Sequence, residues 1–307
     1  MLRHLNEVPQ APERTVVIGS GGFVGSALMR ALKSAGAPAL GLARKELDLS
    51  APGAAERLRT ALNPGDAVVA VAARAPCKDM AMMIDNMVMT KTMLEALTRV
   101  NIAHVINISS DAIYADAPVP LSEESPTAPT SLHGAMHLAR ELAFKDTIKS
   151  PLTILRPTLI YGADDPHNGY GPNRFRRLAN AGTDIVLFGE GEERRDHVLI
   201  DDVAEIILRV LKSRSAGMLN IASGELHSFR KAAELVVAAS PRKVAIKGSV
   251  RKGPMPHNGY RPFDIAATRA AFPDFVYTLL AKGIAKSQQA QQDMTARAAP
   301  SPNMAGT

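Results

Sequence analysis

A glycine turn close to the amino terminus constrains the fold of this 307-residue chain more than any other segment. The β-branched run Thr15–Ile18 leads directly into glycines spaced three residues apart, and a helical pattern follows them. Glycine lets the backbone approach a pyrophosphate, whose charge the free N–H groups of a helix N-terminus then bind. Strand, turn and helix together therefore predict a dinucleotide site. Its predicted residues are Gly19, Gly22, Phe23, Val24 and Gly25.

Short apolar runs alternate with helical patterns through the first half of the chain. After the first run, they occur at residues 39–43, 66–71, 104–108 and 152–155. Helical patterns cover residues 80–99 and 133–149 between the later runs. This alternation predicts an α/β fold in which helices cover both faces of a parallel sheet.

The change of composition along the chain predicts how it is divided. After residue 157 the pattern loosens into loops with Gly and Pro, which is typical of a smaller lobe that covers a ligand. We expect a dinucleotide-binding domain at residues 14–157, with later segments interleaved, and a C-terminal substrate-binding lobe at 158–284. Residues 285–307 are rich in Gln, Ala, Ser and Pro, so we expect a disordered tail there.

Charge and composition exclude several classes of protein. The chain has 36 Lys and Arg against 30 Asp and Glu, no Trp and only 4% aromatic residues. A nucleic-acid groove needs clustered basic residues and aromatic stacking platforms, so we predict no nucleic-acid partner. The single cysteine, Cys77, excludes an intramolecular disulfide and fits the reducing cytoplasm. No apolar run approaches the ~18 residues that a membrane span needs, so we predict no membrane partner.

The residues after the second apolar run should meet the adenosine. An acidic side chain normally binds the ribose hydroxyls of NAD at this place, but Arg44 and Lys45 occupy it here. Two adjacent cations suit the 2′-phosphate of NADP, and the pattern leaves NAD and NADP both open as the cofactor. The predicted cofactor contacts on this side are Arg44, Asp48, Leu49, Ala72 and Ala73.

Further motifs follow in one consistent order from about residue 14 to about residue 280. They are the glycine turn, Ala72-Ala73, Asn86, Ser109–Tyr114, Arg156-Pro157, Tyr161-Gly162, Arg195–His197 and Asp201–Ala204. The chain thereby resembles the extended short-chain dehydrogenase/reductases, which include nucleotide-sugar epimerases, dehydratases and reductases. The resemblance implies a Rossmann-type doubly wound parallel sheet, hydride transfer on a nucleotide sugar and a cofactor contact at Pro157. It also implies a homodimer formed through the helices at residues 80–99 and 133–149.

In that family a Ser or Thr and a Tyr-x-x-x-Lys pair carry the chemistry. Ser110 matches the first, but His133 stands where the Tyr is expected and His137 where the Lys is expected. Imidazole titrates near pH ~6.5, so His133 could act as the acid/base at neutral pH without a cationic neighbour. Tyr161 is a second candidate for the missing acid. Because both rings are shorter than the side chains they replace, a non-catalytic or regulatory NAD(P)-binding protein stays open as the alternative.

Histidines at positions i and i+4 of a helix can also share a zinc ion. A third ligand would have to come from His104 or His167 in distant segments, and no Glu follows His133. We therefore predict no metal site.

The resemblance implies a binding site for the diphosphate of a nucleotide sugar. The predicted substrate residues are Asn173, Arg195 and Arg261. Two guanidinium groups converging on a pyrophosphate would make bidentate, charge-assisted contacts. Asp201 and Asp202 are expected to cap the helix that follows them.

Overall fold

Strands and helices alternate along the chain, and the computed structural model describes residues 2–298. The strands are β1 (Thr15–Ile18), β2 (Ala39–Leu42), β3 (Ala67–Ala70), β4 (His104–Ile108), β5 (Leu152–Pro157), β6 (Leu159–Tyr161), β7 (Ile185–Phe188), β8 (Arg194–Leu199), β9 (Gly217–Ile221), β10 (Leu226–Ser228), β11 (Ile246–Ser249) and β12 (Tyr260–Arg261). The helices are α1 (Phe23–Ser34), α2 (Ala54–Ala61), α3 (Met80–Leu97), α4 (Leu132–Thr147), α5 (Pro172–Ala181), α6 (Ile200–Lys212), α7 (Phe229–Ala239), α8 (Ala266–Ala271) and α9 (Leu280–Ala298). In this part of the chain, no helix is both long and apolar enough to cross a membrane.

Six parallel strands form the main sheet in the order β2-β1-β3-β4-β5-β9. Every residue of β1, β3 and β4 is buried, as expected for strands with helices on both faces. Their Val and Ile side chains favour the extended backbone and fill the space under the helices. The predicted α/β fold with a Rossmann-type doubly wound sheet is confirmed.

The strand order changes direction beside β1, because β2 lies on one side of it and β3 on the other. Such a switch opens a crevice at the carboxyl ends of the two central strands, where doubly wound sheets bind their ligands. The glycine turn follows β1 at Gly19, and Val71 and Ala72 follow β3 across the crevice. The N–H groups of Val71 and Ala72 both donate to the Ile18 carbonyl at 2.9 Å and hold the two strand ends together.

The later strands form a smaller lobe. In it β8 pairs with β6, β10 and β12, while β7 pairs with β11. Tyr161, Phe175 and Phe229 form the aromatic part of its core, under α5, α7 and α9. Two later elements belong to the main sheet instead, because β9 is its last strand and α6 packs on α1.

The expectation of a disordered tail is wrong for residues 285–298, which continue helix α9. Ser287 and Gln288 are buried, and Arg176 of α5 donates to the Ser287 carbonyl at 2.9 Å. Gln288 donates to Asn180 Oδ1 at 2.7 Å. The segment has no Gly or Pro, so its small and amide side chains form a helix that packs through polar contacts. Residues 299–307 of the predicted tail lie outside the described residues.

The predicted capping role of Asp201 and Asp202 is also wrong. Helix α6 has Leu199 at its N-cap, which places both carboxylates in the first turn, where the helix dipole still favours them. Asp202 accepts from the N–H of Thr278 at 2.7 Å and from its hydroxyl at 2.9 Å. Asp201 pairs with Lys286 at 2.7 Å, so the two carboxylates attach α6 to the start of α9.

The packing of α9 on the lobe depends on the absence of a side chain at Gly283, because a Cβ there would collide with the Tyr161 hydroxyl. We predict that Gly283→Ala lowers the free energy of unfolding by about 1–3 kcal/mol, although alanine is the better helix former. Urea denaturation measures this change. Tyr161→Phe is the matched control, because the Tyr161 hydroxyl has no hydrogen-bond partner among the described residues. Its loss should leave the free energy of unfolding nearly unchanged. Combined with Gly283→Ala, it should make the loss of stability smaller. Equal stability of the wild type and Gly283→Ala would contradict the prediction.

Candidate active site and cofactor cleft

A cavity of about 1110 Å³ lies between the carboxyl edge of the main sheet and the lobe. Residues that follow β1, β2, β3 and β4 line one side, and residues of β8 and of the segment before α5 line the other. Pockets for a single drug-sized ligand have volumes of about 300–1,000 Å³, so this cavity is just above the upper end of that range.

The glycine turn presents bare backbone to the cavity. Gly19 has a φ of 95°, and a Cβ on it would lie 2.6 Å from the Ala72 nitrogen. Gly22 stands directly before α1, and a Cβ on it would meet only the Gly19 carbonyl oxygen, at 3.5 Å. Gly25 does not line the cavity; a Cβ on it would collide with Gly19, so Gly25 serves the packing of α1 on the turn. The turn residues that line the cavity are Gly19, Gly21, Gly22, Phe23 and Val24.

The end of the cavity predicted to hold the adenosine is open to solvent. Arg44 and Lys45 line it, and 84% of each side chain is exposed. Arg44 donates to Asp48 Oδ2 at 3.3 Å. The Ser50 N–H, and after it Arg44, lowers the pKa of Asp48. Exposed ion pairs of this kind are weak, so Arg44 can turn from Asp48 to a ligand phosphate at little cost.

The floor of the cavity is attached to a buried arginine that the sequence did not single out. Arg140 of α4 is 1% exposed and donates to the carbonyl oxygens of Ala70 at 2.8 Å and Ala72 at 2.5 Å. It also donates to Asn107 Oδ1 at 2.6 Å, and burial lowers its pKa to about 10. These bonds fix the end of β3 opposite the glycine turn.

The remaining predicted cofactor contacts all line the cavity; they are Leu49, Ala72, Ala73 and Pro157.

The three predicted catalytic residues, Ser110, His133 and His137, all line the cavity. Ser110 follows β4, while the two histidines lie one turn apart on α4. Their ring centroids are 4.7 Å apart and the ring planes meet at 86°. Helix α4 begins just before them because the Ser131 hydroxyl accepts from the Gly134 N–H at 3.1 Å. The start of this helix therefore sets where both imidazoles enter the cavity.

Burial favours the neutral form of both imidazoles. Burial lowers the pKa of His133, although the nearby Asp111 carboxylate opposes this effect. Burial lowers the pKa of His137 much further, and His133 and Arg140 act in the same direction. The Cys77 N–H donates to His133 Nδ1 at 3.4 Å. Because a neutral imidazole has one accepting and one donating nitrogen, this bond places the proton of His133 on Nε2.

The geometry offers no metal site at the two histidines and places the second acid candidate, Tyr161, away from the cavity, within the residues that the structure describes. Within residues 2–298, no group of three or more His, Cys, Asp or Glu side chains is arranged to hold a metal ion. His104 lies at the start of β4 and bonds to the Ser215 carbonyl at 2.7 Å. Tyr161 is 1% exposed beneath Gly283, and burial raises the pKa of its phenol. Tyr161 therefore belongs to the core of the lobe and lies outside the cavity lining.

Two of the three predicted substrate residues line the lobe side of the cavity. Asn173 accepts from the Gly162 N–H at 3.0 Å, which fixes its amide at the start of α5. Arg195 of β8 keeps 12% of its side chain exposed. Its guanidinium lies 3.3 Å from Glu193 and 3.8 Å from Asp111. The Arg195 guanidinium is therefore already paired with carboxylates in the cavity wall, and one of its edges faces the cavity.

Arg261 lies behind this wall and does not line the cavity. It is 2% exposed and donates to the Asp111 carbonyl at 2.7 Å and to Asp116 Oδ1 at 2.6 Å. Arg195 and Arg261 thus converge on Asp111. Other polar residues that line the cavity and that the sequence did not assign to the site are Arg74, Asp111, Thr158, Tyr170, His197 and His257. Asp111 and His197 lie within the motifs Ser109–Tyr114 and Arg195–His197, but nothing in the sequence shows that segments distant in the chain bring these six residues together.

Comparison with known proteins shows relatives that share this architecture. The chain is 26% identical over 280 residues to the dTDP-4-dehydro-6-deoxy-D-allose reductase of Streptomyces bikiniensis, covering 76% of this chain and 83% of the relative. It is 27% identical over 257 residues to the UDP-glucose 4-epimerase of Mycolicibacterium smegmatis, covering 71% and 80%.

Solved structures show the same fold at lower identity. The Thermus thermophilus UDP-glucose 4-epimerase in complex with NAD superimposes with a TM-score of 0.80 at 22% identity, over 91% of this chain and 99% of that one. The Naegleria fowleri GDP-L-fucose synthetase bound to NADP gives a TM-score of 0.80 at 18% identity, over 96% and 98%.

The model of one protein family matches residues 15–222, which span the glycine turn, the catalytic positions and all six strands of the main sheet. The match covers more than half of the chain and confirms the resemblance found in the sequence. Its members use a nicotinamide dinucleotide, NAD or NADP, which fits the bare glycine turn described above. On this evidence, the chain belongs to the NAD dependent epimerase/dehydratase family.

Proposed function

We propose that this chain is an NAD(P)-dependent enzyme acting on a nucleotide sugar, as an epimerase, dehydratase or reductase, with His133 in the place of the usual tyrosine. One observation carries the proposal: a neutral imidazole, fixed at Nδ1 by the Cys77 N–H, lines the cavity together with Ser110. The relatives described above, which are a reductase and 4-epimerases of nucleotide sugars, support the substrate class.

The tautomer of His133 suits an oxygen on the reacting carbon of a sugar. With its proton on Nε2, the ring offers a hydrogen-bond donor to that oxygen in the cavity. A donor stabilises the negative charge that develops on a carbonyl oxygen during reduction, and a neutral imidazole is able to serve in this way. Ser110 supplies a hydroxyl as a second donor. Reduction of a keto sugar and oxidation of a hydroxyl share one transition state, so both groups would serve both directions; in reduction the Nε2 proton would pass to the alkoxide, and solvent water would reprotonate the ring.

His137 supports His133 by staying uncharged. A cation on His137 would lie within one helical turn of His133 and next to the buried Arg140, and like charges at this spacing repel. The edge-to-face contact of the two rings at 4.7 Å keeps His133 in a fixed orientation. His137 thus replaces the lysine of the family with a neutral positioning group.

The cofactor would lie along the glycine turn. Gly19, Gly22 and the first N–H groups of α1 would hold its pyrophosphate, and Arg44 and Asp48 would meet its adenosine. Ala72, Ala73 and Pro157 would border the remainder of the cofactor. When bound, a nicotinamide dinucleotide supplies the hydride acceptor or donor.

The substrate diphosphate would bind on the lobe side. Arg195 offers the exposed edge of its guanidinium, and Asn173 offers its amide. Arg261 lies behind the cavity wall and would act as a positioning residue, because it binds the Asp111 carboxylate. Arg195 also lies next to Asp111 and would turn from it to the phosphate.

A homodimer would cover apolar side chains that are exposed on neighbouring helices. Met80, Ile84 and Val88 form a stripe at helical spacing on α3, exposed by 59%, 57% and 41%. Leu142 of α4 is 58% exposed, and α3 and α4 pack on each other. Apolar stripes of this kind on a monomer commonly mark protein interfaces.

The cytoplasmic location of the protein stays a prediction.

Gly22→Ala tests the cofactor site. The fold has room for this Cβ, but it would stand where the pyrophosphate must approach, so we predict about tenfold weaker binding of NAD and NADP, or about 1.4 kcal/mol. Calorimetric titration of both dinucleotides measures the change. Gly169→Ala adds a Cβ in open space on the lobe side and should leave cofactor affinity unchanged. Wild-type affinity of Gly22→Ala would contradict the assignment.

His133→Phe tests the catalytic role. Removing the donor should lower the rate of reduction of a 4-keto nucleotide sugar by about 10²–10⁴-fold and leave cofactor affinity unchanged. Because burial lowers the pKa of His133 below its usual value of 6.5, the wild-type ring is neutral from pH 7 upward, and we expect a flat rate between about pH 7 and 9. The absorbance of the reduced nicotinamide follows the reaction. His227→Phe, outside the cavity, is the control. Cofactor binding without turnover by the wild type across a panel of nucleotide sugars would favour the non-catalytic alternative.

The double variant Ile84→Asp/Leu142→Asp tests the homodimer. Two charges on the exposed stripe should convert the protein to a monomer, because burying an unpaired carboxylate in an interface is strongly unfavourable. Light scattering after size-exclusion chromatography measures the mass. Val276→Asp, at a site that is 82% exposed and away from α3 and α4, should stay dimeric. A monomeric wild type would overturn this part of the proposal.

A further inference from the structure

His197 is a buried histidine on the lobe side of the cavity. It lies two residues after Arg195 on β8, and both line the cavity because alternate residues of a strand share a face. Packing holds its ring: Phe229 meets it edge to face with centroids 5.6 Å apart, and Tyr170 lies 4.7 Å from Phe229. The imidazole is therefore fixed in orientation by its aromatic neighbours.

Both ring nitrogens of His197 lack hydrogen-bond partners within the part of the chain that the structure describes. The side chain is only 3% exposed, and burial lowers its pKa to about 3; the charge of the Arg195 guanidinium acts in the same direction, whereas the Arg195 backbone opposes it. The neutral ring thus carries one unpaired donor and one unpaired acceptor, which is unfavourable in a protein interior. His104, which is equally buried, differs because its Nε2 contacts the Ser215 carbonyl at 2.7 Å.

A glycine keeps the space beside His197 open. Gly171 also lines the cavity, with a φ of 128°. A Cβ on it would lie 3.3 Å from Phe229 and 3.8 Å from His197 Nε2. The Nε2 edge of the ring is therefore turned toward a stretch of bare backbone in the cavity wall, and the Gly171 side contributes no side chain that would cover it.

We propose that His197 determines specificity by hydrogen bonding a hydroxyl group of the nucleotide sugar, next to the diphosphate at Arg195. This inference rests on the proposed function. A hydroxyl both donates and accepts, so it matches Nε2 in either tautomer, whereas a phosphate oxygen only accepts and a cation would be repelled by Arg195. The hydroxyl belongs to the hexose or to the ribose of the nucleotide.

Calorimetric titration of UDP, UDP-glucose and dTDP-glucose into wild type and His197→Phe tests the proposal. Phenylalanine keeps the ring and removes both nitrogens, so we expect at least tenfold weaker binding of UDP-glucose with unchanged NAD and NADP affinity. Weakening for UDP-glucose but not UDP assigns the hexose hydroxyl. Weakening for UDP and UDP-glucose but not dTDP-glucose assigns the ribose 2′-hydroxyl, and equal weakening for all three assigns the 3′-hydroxyl.

Thermal melting separates a ligand contact from a structural role. His197→Phe should melt at or above the wild-type temperature, because it removes two unpaired polar atoms, whereas His104→Phe should melt lower and bind UDP-glucose normally. His197→Gln keeps a donor and an acceptor and should bind UDP-glucose within about threefold of wild type. If His197→Phe fails to fold, His197→Gln still tests the proposal, because tenfold weaker binding of UDP-glucose by His197→Gln overturns it.

Two results would overturn the proposal in distinguishable ways. Unchanged UDP-glucose affinity in folded His197→Phe rejects the hydroxyl contact and leaves the proposed function intact. Failure of the wild type to bind any UDP-, dTDP- or GDP-sugar, while it still binds NAD or NADP, rejects the proposed substrate class and this inference with it.

Discussion

The attachment of Arg140 to the carboxyl edge of the sheet is the contact on which the site depends. Its guanidinium bonds to two carbonyl groups at the end of β3 and to the Asn107 side chain of β4, so it fastens α4 to two strands. The same helix carries His133 and His137, and the same strand end carries Ala72 opposite the glycine turn. One buried cation therefore fixes the two histidines that we propose for the active site relative to the strand end opposite the glycine turn. Charge-assisted bonds to carbonyl oxygens offset part of the cost of burying it.

Burial, more than any ion pair, sets the chemistry of the cavity. His133, His137 and His197 all have lowered pKa values because water is excluded from their rings, and all three line the same cavity. A tyrosine with a lysine neighbour depends on charge to become an acid near neutral pH, whereas a buried imidazole is uncharged there without help. The exchange of Tyr and Lys for two histidines that we propose would thus be one change of principle, from charge stabilisation to hydrogen bonding by neutral rings.

Much of the architecture could be predicted because local patterns encode it. Glycine spacing after a β-branched strand indicates the turn, and apolar runs indicated the first five strands and helices α3 and α4 to within a few residues. Other features had no local signal. Arg140 resembles an exposed helical arginine, the motif that contains His197 does not show that its ring is buried without a partner, and α9 has too few large apolar side chains to reveal that Ser287 and Gln288 pack on α5. Arg261 was expected in the cavity, but it lies behind Asp111 because β12 pairs with the outer end of β8.

The sequence by itself determined the doubly wound sheet, the bare turn predicted to bind a pyrophosphate and the presence of histidines at the two positions predicted to be catalytic. These follow from residue type and spacing within single segments, where backbone conformation and apolar periodicity act locally. Only the tertiary structure decided which histidine nitrogen faces a donor, which arginine reaches the cavity and which buried ring lacks a partner. Such properties depend on groups contributed by distant segments, such as Cys77 beside His133 and Gly171 beside His197, and burial by those segments sets the charge of each ring.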